Sequence, residues 1–546
     1  MLSSDRRKFI GMVGATVAGA AVAAVDPQIG HAAPWQTSGG AAGSNPAPRH
    51  AAAAFLNVRE FGAAGDGHAI DSTAINAAIL AAENNGGGTV FFPAGNYLCY
   101  SIHLKSNVSL YLDQGAIVIA ADTPAAGKPG GYDHAEPRQP WEEYQDSGHN
   151  HWHDSLIWGE NLHDISILGP GRIWGRGLSK GYGLGPASGS PGVGNKAISL
   201  KLCHNVLLKD FQILQGGWFG ILATGVDNLT IDGLTIDTNR DGMDIDCCRN
   251  VRVSNCSVNS PWDDAIVPKS SFALGYNRAT ENVSITNCYV TGTYEIGTLL
   301  DGTWKLFDSA AKVPRTGRIK FGTESNGGFK NIVVSNCVFE GCQGLALESE
   351  DGALLEDMTI TNITMRDITS APIFMRLGSR LRGPKGTQVG AVRRVLISNI
   401  VCSNASSELG CILSGIPGHP IEDVTISNIY LQHRGGGTKA QAALTPAEKE
   451  TVYPEPDMFG VMPSQGFFIR HAKNIDISNV RIVAASPDER PAFVLQDVDG
   501  AEFFHIRSTE AATVPKFVLN DVRNFTVTQT KGVKDTTLES AAHETL

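Results

Sequence analysis

The chain has 546 residues, a formal net charge of −11, 18% charged residues and 61 glycines. The acidic balance argues against an overall basic nucleic-acid-binding surface, so any acidic ligand would have to find local cations. A chain this long is either several ordinary domains or one repeat array, which makes internal repeats the first thing to seek.

The N-terminus reads SSDRRKFIGMVGATVAGAAVAAV, with Arg6-Arg7 ahead of a small-residue apolar run. This is the pattern of a twin-arginine signal peptide over 1–32, and the run is shorter and richer in Ala and Gly than the roughly 20 apolar residues of a bilayer span. The expectation is export by the twin-arginine translocase to the periplasm or the medium, with no stable membrane insertion after cleavage. Residues 33–53, rich in Ala, Gly, Ser and Pro, read as a flexible linker.

Beyond the linker, Ile75, Ala78, Ile79 and Ala82 have helical spacing behind Asp71 or Ser72 as N-cap, and Gly86-Gly87-Gly88 stops the pattern. The spacing predicts a helix over 71–82 that caps the open end of the repeats after it. From about residue 160 one phrase returns as ISILG, LTIDGLTI, VRVSNCSV, VSITNCYV, IVVSNCVF, MTITNITM, VLISNIVC, VTISNIYL and IDISNVRI. Apolar-polar alternation marks strands, and recurrence every roughly 22 to 50 residues marks a solenoid. Asn255, Asn287, Asn336, Asn362, Asn399, Asn428 and Asn479 hold one place in successive copies, at a bend where stacked amides form a ladder.

Units this short leave no room for the helix of a βα crossover. The fold class expected is therefore all-β: a right-handed, single-stranded parallel β-helix over 54–530 with an N-terminal capping helix, and 531–546 as a C-terminal tail. The longer intervals, Asn287 to Asn336 and Asn428 to Asn479, imply loop insertions on one face, where binding sites are usually built. Cys256, Cys288 and Cys337 sit where other copies carry Ile or Val and read as small buried apolar residues, with bridges such as Cys337 to Cys342 or Cys402 to Cys411 left open.

The chemistry concentrates at DTNRDGMDID and NSPWDDAIVPKSS. Asp241 and Asp263 are about one coil apart, so they and Asp264 meet on neighbouring rungs roughly 4.8 Å apart. Stacked carboxylates repel and raise one pKa, which supplies one neutral and one ionised carboxyl for general acid and base. A single Asp of this kind reads equally well as a turn former or a calcium ligand; the three together with Gly242 favour catalysis. With Met243 and Ile245 turned inward, Asp244 points out beside them. Arg318 and Lys320 flank Ile319, so both leave the core on a rung near the acids. Within His149 to Asn161, dense in His and Trp, a metal site and a sugar-stacking wall of Trp152, Trp158 or Trp218 both remain open.

At these residues the chain resembles glycoside hydrolase family 28, the polygalacturonases and rhamnogalacturonan hydrolases. NRDGMD, from Asn239 to Asp244, stands for the family's Asn-Thr-Asp motif with Arg240 in place of Thr, and WDDAI matches its Asp-Asp pair one coil later. GGWFGI with Trp218 resembles its Ser-Pro-x-Trp segment, and NVREFGAAGDG with GGGTVFFPAGNY its opening. The family's Gly-His-Gly is absent. Its Arg-x-Lys falls either at Arg318 to Lys320 or, if GTESNGG is aligned with a Gly-Ser-Glu variant, at Ala346 and Glu348.

The resemblance implies inverting hydrolysis of a galacturonate-containing pectic poly- or oligosaccharide. Asp263 is then the general acid, and Asp241 and Asp264 position and activate water. Asn239, Asp244, Trp218, Arg318, Lys320, Glu324 and Lys269 are the expected substrate-binding set, with no cofactor and no metal. The two insertions suggest a pocket and action from a chain end. Two rival readings are a calcium-dependent polysaccharide lyase on the same fold and a β-helix that binds polysaccharide without cutting it.

Overall fold

The computed structural model describes residues 55–125, 128–181 and 189–546. The expected signal peptide over 1–32 and linker over 33–53 lie outside the described residues. The body of the chain is a stack of three-strand coils in which every strand pairs in parallel with its counterpart one coil on. Phe219–Thr224, Asp227–Asp232 and Thr235–Asp237 are succeeded by Asp241–Asp246, Arg249–Ser254 and Ser257–Asn259. The register stacks like on like, Ile221 on Met243 on Ile266 and Ile236 on Val258 on Val290, so the core is a narrow column of aliphatic layers. All ten cysteines are free and buried, several of them within these layers, and neither bridge left open by the sequence forms.

Two corners of the coil are held by asparagine. The expected ladder is present: Asn362 donates to Asn336 at 3.1 Å, Asn399 to Asn362 at 3.1 Å, Asn428 to Asn399 at 3.0 Å and Asn479 to Asn428 at 3.3 Å. A second ladder, unforeseen, links Asn228, Asn250, Asn282 and Asn331 at the other corner with bonds of 2.8 to 3.2 Å. Every one of these residues is left-handed, Asn399 at φ 55°, a conformation that Asn tolerates through local side-chain bonding and other β-carbon-bearing residues resist by about 1–2 kcal/mol. Asn399→Ala, losing both ladder bonds as well, should therefore cost about 2–4 kcal/mol in denaturant unfolding. Asn399→Gly should cost less; equal costs would remove the backbone argument.

The capping helix α1 spans Ser72–Asn84 and buries Ile75, Ala78, Ile79 and Ala82 against the first coil. Asp71 makes no side-chain cap; its carboxylate accepts from the Ala64 and Gly65 N–H groups at 2.7 and 3.0 Å and pins the preceding turn. The expected tail over 531–546 is corrected. Its residues Thr536–Thr545 form a strand antiparallel to Phe517–Thr528, covering the last coil's open edge with only Leu538 and Ala541 turned to the core. So few inward apolar residues leave little strand signature.

Candidate active site

Asp241 opens the strand Asp241–Asp246, and Asp263 and Asp264 lie in the turn that enters the next rung, Ile266–Lys269. The Gly242 and Met243 N–H groups donate to the Asp264 and Ala265 carbonyls at 2.9 and 3.0 Å, bringing the two rungs together. A β-carbon at Gly242 would stand 2.4 Å from the Ala265 carbonyl oxygen, which is why glycine follows Asp241. Oxygens of the three carboxylates lie within 4.8 Å of one another. Asp241 and Asp264 are buried, whereas Asp263 keeps a quarter of its side chain exposed.

Their environments differ in sign. Burial, then the charges of Asp263 and Asp244, push Asp241 well above the usual carboxylate range. Burial also raises Asp263, outweighing the guanidinium of Arg240, whose Nε lies 3.2 Å away and whose Nη2 bonds the same oxygen. Burial pushes Asp264 upward too, yet Arg318 (2.8 Å), Lys320 (3.4 Å) and Lys269 together bring it below its ordinary value. The trio therefore sets one carboxyl whose ionised form is favoured beside two whose protonated form is favoured.

The rung register places the cations. Ile266 pairs with Ile319 and Lys320 with Ala346, so Arg318 to Lys320 come directly after the acids and Ala346 to Glu348 one rung later. Arg318 and Lys320 leave the core as expected but are not open to solvent. Arg318 Nη2 bonds Glu455 at 2.6 Å, and Lys320 Nζ lies 3.3 Å from the same carboxylate, which arrives on the insertion over 434–466. Behind them is a second buried layer. Asp244 meets His149 Nε2 at 3.0 Å and Lys269 at 3.7 Å; Lys269 meets Glu324 at 2.9 Å, and Glu324 meets Arg382 at 2.8 Å. Asp244, Lys269 and Glu324 thus bind one another and His149, supporting the acids from beneath.

Trp218 is buried under Arg240, whose guanidinium carbon stands 5.3 Å from its ring centroid, so it seats that arginine and offers no open sugar face. Trp262, 38% accessible, is an exposed aromatic close by. With Asp122, Arg176, Lys180, Asn239, Arg240 and Ile296 it lines a cleft of 680 Å³, and Arg240 connects that cleft to Asp263 through its bond to the carboxylate. Ile296 belongs to the other insertion, so both long loops reach the site. The lining comes from successive coils, which aligns the cleft with the solenoid axis. Among the described residues, two groups have donor sets able to hold a cation: Asp241, Asp263 and Asp264, and Glu136, His153 and Glu160. The metal cluster considered around His149 does not converge, because His149 turns to Asp244 while Asp154 bonds Asn195.

Residues 55–128 match the family model "Rhamnogalacturonase A/epimerase, pectate lyase-like", and residues 192–303 match "Right handed beta helix region". A "Probable polygalacturonase" of Vitis vinifera is 23% identical over 431 residues, 74% of this chain and 80% of its own. Two solved structures share the fold. The hyperthermoactive exopolygalacturonase of Thermotoga maritima has a TM-score of 0.53 at 16% identity, over 90% of this chain and 95% of its own. The family 28 exopolygalacturonase of Yersinia enterocolitica has 0.55 at 18%, over 88% and 79%. The protein is a right-handed parallel β-helix with a carboxylate trio on adjacent rungs. More particularly, over most of its length its sequence is similar to that of a probable polygalacturonase.

Proposed function

We propose that the chain is a glycoside hydrolase acting on galacturonate-containing pectic poly- or oligosaccharide. The observation that carries the reading is the contrast within the trio, with Asp264 ion-paired to Arg318 and Lys320, which favour its ionised form, while burial favours the protonated forms of Asp241 and Asp263. Asp263, the exposed member at the cleft, donates to the leaving oxygen. Asp264 accepts the proton of the attacking water, and Asp241 positions that water. Action from a chain end is supported by the two insertions and by the exo-acting proteins that share the fold. Inversion rests on the motif resemblance, since the carboxylate oxygens are closer than the roughly 6.5–9.5 Å of a two-carboxyl inverting site. Export by the twin-arginine route belongs to the same proposal and rests on the Arg6-Arg7 run.

Incubation with a panel of pectic oligosaccharides should release new reducing ends without ultraviolet-absorbing unsaturated products, and activity should survive exhaustive EDTA treatment. The same trio has the donor set of a calcium site, which favours the lyase as second reading. Unsaturated products, or activity lost to EDTA and restored by calcium, would establish that alternative.

A further inference from the structure

We propose that Glu136, His153 and Glu160 bind a divalent transition-metal ion of the zinc type, which clamps the irregular segment after Tyr132 onto the sheet. The inference does not depend on the hydrolase reading. Glu160 ends the strand Ile157–Glu160, and parallel pairing carries that strand through Lys196–Lys201 and Phe219–Thr224 to Asp241–Asp246. Three rungs therefore separate this site from the acids.

His153 Nε2 lies 2.9 Å from Glu160 Oε2 and 3.6 Å from Glu136 Oε1, and one donor atom from each residue falls within 4.8 Å of the others. A ring nitrogen carries at most one hydrogen, so it cannot satisfy both carboxylates. A metal ion can. Zinc bonds to nitrogen and oxygen of roughly 2.0–2.2 Å give a tetrahedron with edges of about 3.4 Å, which the two observed separations bracket. Lys201 Nζ sits 3.0 Å from Glu160 Oε1, the other oxygen, and leaves Oε2 to the imidazole.

Two further observations point to a ligand. A second histidine stands beside the group: the Nδ1 atom of His151 is buried, makes no hydrogen bond among the described residues and lies 3.9 Å from Glu136 Oε2. Its Nε2 faces Glu142 at 3.7 Å, the kind of carboxylate that orients a ligating imidazole through its other nitrogen. A cavity of 500 Å³, lined by His103, Asp133, His153, Trp158 and Glu160, also opens on the group. An ion can therefore enter from solvent, and water can complete its shell. Imidazole among the donors selects zinc over calcium and magnesium, which take oxygen ligands. The clamped segment carries His149, which reaches Asp244 at 3.0 Å, so the ion would hold in place part of the layer beneath the acids.

The test uses protein without a histidine tag, stripped with EDTA, dialysed and titrated with zinc by calorimetry. One ion should bind per chain with a Kd below about 1 µM, and saturating zinc should raise the melting temperature by about 2 °C or more. Cobalt(II) in its place should give the visible absorption of a tetrahedral site, lost when zinc is added, while millimolar calcium should displace neither. His153→Ala and the near-isosteric Glu160→Gln should each weaken zinc binding about tenfold or more. If His153→Ala fails to fold, Glu160→Gln decides. Asp263→Asn should leave the stoichiometry at one. No binding at zinc concentrations of about 100 µM, or native affinity in Glu160→Gln, would overturn the inference. So would binding that Asp263→Asn abolishes and Glu160→Gln keeps, which would place the ion among the acids.

Discussion

Asp263→Asn should lower kcat by about 10³-fold, within the usual worth of a positioned general acid, while the melting temperature stays near that of the native protein. Asn matches Asp in shape, and the side chain is a quarter exposed, so the substitution leaves neither a cavity nor a deeply buried orphan. Arg240 loses its nearest carboxylate but keeps Asp241 at 4.0 Å. Two further readouts separate loss of the acid from general damage. Aryl glycosides with good leaving groups need little protonation and should be affected far less than the natural linkage. The alkaline limb of the native pH profile should lie above the ordinary carboxylate range, because burial raises Asp263, and it should vanish from the residual activity of the variant. Turnover within tenfold of native would remove Asp263 from the mechanism.

How much the sequence disclosed depends on where each interaction is encoded. The coil is written in local alternation and in Asn at a fixed offset, so the solenoid and one ladder are legible. The second ladder was equally available in HNV, DNL, RNV, ENV and KNI, where Asn precedes the apolar pair in each copy. The acids are legible for a related reason: one coil of separation turns sequence distance into a rung distance. The outward direction of Arg318 and Lys320 also comes from alternation around Ile319, but the groups standing outside them do not. Glu455 reaches Arg318 across 137 positions, and His149 reaches Asp244 across 95, from irregular segments with no period. The same gap explains Trp218: its position in a family-like motif is visible, whereas the Arg240 guanidinium that covers it becomes visible only in three dimensions.

Arg318→Ala should be damaging twice over, and the two effects are separable. Arg318 is fully buried between Asp264 and Glu455, so truncation leaves two carboxylates without their main cation, a change that typically costs about 3–5 kcal/mol. A large fall in melting temperature is expected. In protein that remains folded, Asp264 loses the largest of the pulls that keep it below its ordinary pKa, and burial then drives it upward. The carboxylate needed ionised to accept the proton of water is then more readily protonated, so the acid limb of the pH profile moves to higher pH and kcat on that limb falls by about 10²-fold or more. Arg318→Lys keeps a charge but not the fork that reaches two carboxylates at once, and should lie between native and Ala in both measures. The double variant Arg318→Ala with Glu455→Gln removes one of the stranded charges and should recover part of the stability without recovering the acid limb, because Asp264 still lacks its partner. An acid limb that stays in place in Arg318→Ala would show that Asp264 owes its ionisation to other groups and would dissolve the link drawn between that arginine and the base.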